Sequence, residues 1–210
     1  MHAGHAAPLE PKLGEVLASA WGDLVRGAAD RRHGFHVPVV ASIGLDGAPS
    51  ARTVVLRRVL PEPCELHFHT DLRGPKVAEL ARDPRVSWTF YDAGRKLQLR
   101  VAAVAEVHAT GARADEAWAR SAPSSRRCYL APAAPGARCD AVSPNLPEAL
   151  RMRVPTVEES LAGRVNFALV ATRVTAIDWL HLASEGHVRA RFLRDLGDSR
   201  GIWSAGWVEP

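Results

Sequence analysis

Apolar residues recur along this chain with two different periods. Between Leu13 and Ala29 they stand at Leu13, Val16, Leu17, Ala20, Trp21, Leu24, Val25 and Ala28, spacings of three and four that predict one helix with a buried stripe. Beyond that helix the period drops to two. VPVVASIG, then Asp46-Gly47, then SARTVVLRRV predict two strands joined by a hairpin turn, because Asp-Gly accommodates the positive φ such a turn needs. CELHFHT and RVSWTFYD predict two more strands. Between them lies DLRGPKVAELARDP, where Gly74 and Pro75 open a short helix and Pro84 closes it. KLQLRVAAVAEVH follows as a long strand, and GARADEAWARSAPSSRR predicts a helix around Trp118 that ends at Pro123. The Pro- and Ala-rich passage after it is irregular, yet its Leu, Met and Val content implies packing against something, a second subunit being one candidate. RVNFALVATRVTAIDWLHL, HVRARFLRDL and GIWSAGWVEP complete the strands. Strands dominate and no strand–helix–strand alternation occurs, so the expected fold is mainly β with peripheral helices, an antiparallel barrel.

The 210 residues, 47% of them hydrophobic, suit a single domain over 1–210. Within it, 1–34 forms an N-terminal extension and helix, and 110–160 a helix and irregular interface segment. No apolar run reaches the length of a membrane-spanning helix, and MHAGHAAPLEPK has neither the charged nor the apolar block of a signal peptide. Cys64, Cys128 and Cys139 are widely spaced and lack a C-x-x-C pair, so a reducing cytoplasm is the simplest home. No membrane partner is expected.

Alternation along SARTVVLRRV puts Arg52, Val54, Leu56 and Arg58 on one face and Thr53, Val55 and Arg57 on the other. Three guanidinium groups therefore cannot share a target by face alone. Either strand twist at a barrel rim gathers them around a bound molecule, or they are solvated end charges. Lys76, at the amino end of the short helix, is open to two readings as well: an anion site built from unpaired N–H groups and an ammonium, or a solvated lysine on a connecting helix. On KLQLRVAA, Leu97, Leu99 and Val101 share one face, with Lys96, Gln98, Arg100 and Ala102 on the other. Gln98 offers both a donor and an acceptor, the pair needed to read a heterocycle. His67 and His69 share a strand face and suit a metal ion, but no third or fourth ligand accompanies them, so no metal is expected.

Charge sharpens the picture only slightly. Lys plus Arg number 27 against 23 Asp plus Glu, and the pI is near 9.3, a mildly positive field that favours anionic ligands. Without a helix-turn-helix pattern, an RNP-like aromatic strand or a dense basic run, nucleic acid is not an expected partner. The serine-hydrolase elbow, the G-x-G-x-x-G fingerprint and the phosphate-binding P-loop are all missing from the sequence.

Five motifs stand in a recognisable order: R-x-V-x-L-R at 52–57, HFHTD-x-x-x-x-K at 67–76, D-P-R-V at 83–86, K-L-Q-L-R at 96–100, and R-x-R-F with a terminal W-x-x-x-W-V-x-P. In this order they resemble the pyridoxamine 5′-phosphate oxidase family, and more closely its FMN-binding related branch, from about Val39 to Pro210. The resemblance implies a split β-barrel of the FMN-binding type, a homodimer with FMN at the subunit interface. By motif, Arg52 and Lys76 would meet the FMN phosphate, the backbone of Thr53, Val54, Val55 and Leu56 would run beside the isoalloxazine, and His69 with Thr70 would line the same cleft. Gln98 would meet the ring or ribityl chain. Arg191 would reach over from the opposite subunit, with the 179–181 stretch close by, and the 131–140 passage would contribute. Arg57 looks toward the space above the flavin, where His187 and Arg189 are the other substrate-side candidates.

Departures from the oxidase pattern bear on substrate. Where the oxidases carry a substrate-binding lysine, this chain has Arg57, and where they present Tyr, Arg and Ser to the substrate phosphate it has Trp118, Ala122 and a Ser-Ser-Arg-Arg run. The oxidases' R-L-H motif reads His187-Val188-Arg189, Gly74-Pro75 replaces a Ser-Arg, and no Gln-Ser pair stands near Ala134. Losing phosphate partners worth about 1.5–3 kcal/mol each weakens binding tenfold or more apiece. The expected function is an FMN-dependent oxidoreductase related to pyridoxamine 5′-phosphate oxidase with an altered substrate-phosphate site. The alternative is a non-catalytic module that holds flavin or another planar cofactor.

Overall fold

The structure, a computed structural model, describes residues 11–195 and 202–210. The reading of the first residues as leaderless, and residues 196 and 201 of the last predicted strands, lie outside the described residues.

The helical stripe forms α1 (Pro11–Ala29), which buries Leu13, Ala20, Trp21 and Leu24, while Val25 stays exposed at its edge. Then come β1 (Val39–Ile43) and β2 (Pro49–Thr53), paired through a turn in which Gly47 takes a φ of 87°. After these follow β3 (Arg58–Leu60), β4 (Glu65–Asp71), α2 (Pro75–Arg82), β5 (Arg85–Asp92) and β6 (Leu97–His108). The helix around Trp118 is α3 (Ala112–Ala119). Pro123 does more than end it, since a proline needs no N–H at a first helical position and here opens a second short helix, α4 (Pro123–Arg126). Beyond an irregular passage, α5 (Val157–Leu161) starts with a reciprocal capping box between Thr156 and Glu159. The strands β7 (Phe167–His181), β8 (Val188–Arg194) and β9 (Trp203–Val208) complete the fold.

All strand pairs are antiparallel, in the order β2-β1-β5-β6-β7-β4-β3, with β8 and β9 continuing from β7. The sheet forks at β7. One edge of this long strand follows β6, while the other pairs with β4 over residues 167–173 and with β8 over 176–181. A register shift between Ala102 and Ala103 falls opposite the change of partner, where a bulge supplies the bend.

The ladder does not close between β2 and β3, and the predicted strand through residues 50–59 is corrected here. It breaks after Thr53, and residues 54–57 cross from one sheet edge to the other. Val54 N donates to Pro38 O (3.0 Å) and Leu56 N to His36 O (3.0 Å), then Arg57 N donates to His67 O (2.9 Å). Val54 and Leu56 share a face, as the alternation predicts, and both are buried, but at the crossing the alternation slips, so Val59 rather than Arg58 turns into the core.

Inside sit Phe35, Phe68, Trp88, Phe90, Leu99, Ile177 and Phe192, each nearly or wholly sealed from solvent. The Trp88 indole donates to Thr172 Oγ1 (3.1 Å), which donates to Leu66 O (2.8 Å), so the largest core side chain buries no orphan donor. A smaller cluster of Trp118, Tyr129, Phe167 and Leu169 pins α3 and the turn after α4 onto the start of β7. The expectation that the irregular passage packs its apolar residues is met only in part within the chain: Ala131 and Leu150 are buried, but Val142, Met152 and Val154 are exposed, Met152 by 96%, as are Val157, Leu161 and Val165 just beyond it. Among the described residues no helix is long and apolar enough to cross a membrane. All three cysteines are free thiols.

Candidate functional site

Two cavities meet at His69. The first, of about 420 Å³, lies between β2, the end of β4, the start of α2 and the irregular passage, and is lined by Arg52, His69, Thr70, Lys76, Tyr129 and Gly136 among others. The short helix sits here because Leu80 and Glu79 bury its inner side, which brings Lys76 round to the cavity. Lys76 Nζ donates to Thr70 Oγ1 (3.1 Å) and stands 5.9 Å from the centre of the Phe68 ring. Among the described residues no carboxylate forms an ion pair with it. Burial, and next the charge of Arg52, holds its pKa below the ordinary 10.5, with Glu79 and Asp71 offsetting only part of this.

Arg52 is more occupied than its motif implies. In the β1–β2 register Val40 faces Arg52 and Ser42 faces Ser50, so all four share the side turned to α2. Arg52 donates to Ser42 Oγ (2.5 Å), Ser50 Oγ (2.6 Å) and Glu79 Oε2 (2.7 Å), and both serines donate to the same carboxylate. Burial alone would raise the Glu79 carboxyl, but these bonds together hold it below its ordinary value. The helix end is likewise less of an amide nest than expected. Pro75 has no N–H and that of Val77 is bonded to Gly74 O, so affinity for an anion rests mainly on the ammonium.

Arg73 escaped the sequence reading. It grips Asp71 through Nε (3.0 Å) and Nη2 (2.7 Å) and donates to the carbonyls of Ala131 (3.0 Å) and Pro132 (3.4 Å). This latch holds the irregular passage so that Pro135 and Gly136 form a cavity wall. No periodic signal marks a contact across 58 residues of chain.

The second cavity, of about 490 Å³, is lined by Leu56, Arg57, Arg58, His67, His69 and side chains of α3. His69 packs edge-on to Phe167 at 4.8 Å, and burial, followed by the charges of Arg57 and His67, lowers its pKa to about 3. It is therefore neutral at any ordinary pH. His67 is bonded to Glu65 (2.8 Å), a carboxylate that Arg113 also holds. Its pKa is depressed first by burial, with Glu65 opposing. Among the described residues no three His, Cys, Asp or Glu are grouped to hold a metal. Arg57 is exposed and lines the second cavity, where its charge is among the causes that depress the His69 imidazole.

Of the residues singled out by sequence, Arg52, His69, Thr70 and Lys76 gather around the first cavity, and Leu56, Arg57 and His69 around the second. Between them the N–H of Val55 has no acceptor within the described chain, whereas those of Val54 and Leu56 do. The remaining candidates are not brought here. Gln98 alternates with buried Leu97 and Leu99 and lies in neither cavity. Arg189 forms a two-pronged pair with Asp178 (2.9 and 2.7 Å), Arg191 stands 4.0 Å from the same carboxylate, and His187 is exposed just before β8. Asp178 is nine residues along β7 from Leu169, the partner of His69, which is roughly 30 Å of strand.

Comparison with known proteins fits this geometry. Residues 18–109 match the family model "Pyridoxamine 5′-phosphate oxidase, FMN-binding domain". Pyridoxine/pyridoxamine 5′-phosphate oxidase 2 of Arabidopsis thaliana is 30% identical over 57% of this chain, and the match spans 65% of that relative's length. Among solved structures, a pyridoxamine 5′-phosphate oxidase-related, FMN-binding protein of Nostoc punctiforme PCC 73102 superposes with a TM-score of 0.68 at 20% identity, covering 96% of this chain and 98% of its own. PhzG of Burkholderia lata 383, solved with tetrahydrophenazine-1-carboxylic acid, gives 0.65 at 20% identity, covering 98% and 95%. These two show the fold, an open split barrel. The family model and the Arabidopsis relative bear out the family resemblance carried by the five motifs.

Proposed function

Because residues 18–109 match the FMN-binding domain of the pyridoxamine 5′-phosphate oxidase family, we propose that this protein is an FMN-dependent oxidoreductase acting as a homodimer. The observation that carries the reading is Lys76. A half-buried ammonium, with a hydroxyl as its bonded partner and a depressed pKa, gains from a bound phosphate what burial took from it. The cavity fits such a group. Lys76 and Thr70 would hold the phosphate, Arg52 would add the face of its guanidinium not spent on Glu79, and the free N–H of Val55 would turn to the ring edge beside Thr53, Val54 and Leu56.

FMN, when bound, supplies the hydride-accepting chemistry. This chain orients it and shields it. His69, neutral and wedged against Phe167, keeps charge away from the meeting point of the two cavities, and Arg57 puts charge back on the substrate side. Gln98 and Arg191 are too far along the sheet to serve the cavities of their own chain, so they would serve those of a second copy. The exposed apolar residues between 142 and 165 are the surface such a copy would cover.

Pyridoxamine phosphate itself would be a poor substrate. Arg126 is buried with its guanidinium 4.8 Å over the Trp118 ring and donates to the carbonyls of Trp118 and Ala119. At the position where the oxidases present substrate-phosphate ligands, this chain thus spends a cation on the end of its own helix.

The test is a visible spectrum of purified protein, FMN titration of the apoprotein and sedimentation analysis. Flavin absorption, FMN uptake by a dimer, and turnover with pyridoxamine 5′-phosphate at least tenfold below that with a better substrate support the reading. Protein that is colourless and stays so in excess FMN ends it.

A further inference from the structure

We propose that the second cavity recognises a small organic polyanion, a molecule with two or more carboxylate or phosphate groups, through Arg31, Arg57, Arg58 and Arg120. Describing that molecule as the substrate rests on the flavin reading of the neighbouring cavity.

The walls gather like charges that ordinary surface packing would keep apart. Five arginines line the cavity: Arg31 just beyond α1, Arg57 and Arg58 at the crossing between sheet edges, Arg113 on α3 and Arg120 at its carboxyl end. They come from three separate stretches of chain, so the fold rather than a basic run in the sequence assembles them. Their counter-charges are few. Arg58 (3.6 Å) and Arg120 (2.7 Å) share Glu116, and Arg113 is held by Glu65. Arg31 and Arg57 have no carboxylate partner among the described residues. With His69 neutral, the concave surface carries a clear excess of positive charge, and a cleft of this kind focuses its field on a small anion.

Chemistry and size narrow the occupant. Guanidinium forks bind carboxylate or phosphate oxygens two at a time, and arginines supplied by separate stretches of chain suit separate anionic groups on one molecule. Ser121 and Ser125 add hydroxyls, while Leu56 and Leu169 give an apolar surface. A volume of about 490 Å³ admits a small metabolite.

Isothermal titration of FMN-saturated protein with citrate, succinate, pyrophosphate and inorganic phosphate tests this, with glycerol as the neutral control. At least one multivalent anion should bind and weaken steeply as salt rises, and the carboxylate and phosphate arms identify the preferred group. Arg31→Gln and Arg120→Gln, both at exposed positions, should each lower that affinity about tenfold while FMN affinity, titrated separately, stays unchanged. Unaltered binding in the folded double variant, or no multivalent anion bound by the parent protein, overturns the proposal. If the anion binds the apoprotein and FMN does not, the flavin reading fails and the polyanion site stands.

Discussion

The Arg52 guanidinium, in the wall of the first cavity, stands 2.7 Å from the Glu79 carboxylate, one on a strand and the other 27 residues later on a helix. Ser42 and Ser50 bond to both members, so the pair forms a closed network and its two charges cancel. What the cavity offers an anion is therefore chiefly the charge of Lys76.

Removing only one member of that network should be costly. Arg52→Ala leaves the Glu79 carboxylate, whose side chain is 8% exposed, without its cation, and the fold should lose roughly 3 kcal/mol. The double change to methionine at both positions should recover most of this. Urea denaturation of the parent and both variants checks it, and an Arg52→Ala variant as stable as the parent would refute the coupling. In the folded fraction, Arg52→Ala should also lower FMN affinity about tenfold or more.

Lys76→Met separates binding from stability. FMN affinity should fall at least tenfold by titration, while the apoprotein becomes no less stable, since a desolvated ammonium is removed. The pH dependence follows from the lowered pKa. Unfolded chains keep the proton up to 10.5, so apoprotein stability should rise as pH climbs from the depressed native value toward 10.5, and FMN affinity should fall over the same window. Lys76→Met should flatten both trends.

His69 makes the opposite end of the pH scale informative. Its native pKa of about 3 lies below the ordinary 6.5, so the unfolded chain binds a proton that the folded chain refuses. Stability contributed by neutral His69 is complete above pH 6.5 and is lost as pH falls toward 3. His69→Phe should reduce the acid sensitivity measured between these values. NMR titration that finds His69 protonating near 6.5 in the native protein would contradict the assignment.

Thr172→Val probes the centre of the barrel. The substitution keeps shape but removes the hydroxyl that accepts from the buried Trp88 indole, at a cost of about 1–3 kcal/mol by denaturant unfolding. A neutral result would show that the indole finds another partner.

Much of the scaffold was legible because backbone geometry writes it locally. A helix turns every 3.6 residues and a strand alternates every two, so the stripe of α1 and the inward row Leu97, Leu99, Val101 followed from spacing alone. The five ordered motifs carried the resemblance to the family. Grouping Arg52, Thr70 and Lys76 needed that resemblance, since nothing local joins a residue of β2 to the start of α2.

What spacing left open was decided by contacts between distant parts of the chain. The strand through 50–59 broke because Val54 and Leu56 found acceptors at Pro38 and His36 while Arg57 found one at His67. Arg73 latched a loop 58 residues away, Arg126 turned inward onto Trp118, and Arg52 met Glu79, partners that no spacing in the sequence marks. Periodicity reports only which way a side chain points from its own backbone. Which charge it neutralises, and which charges stay unpaired around a cavity, depends on the strand edges and helix ends that folding brings together.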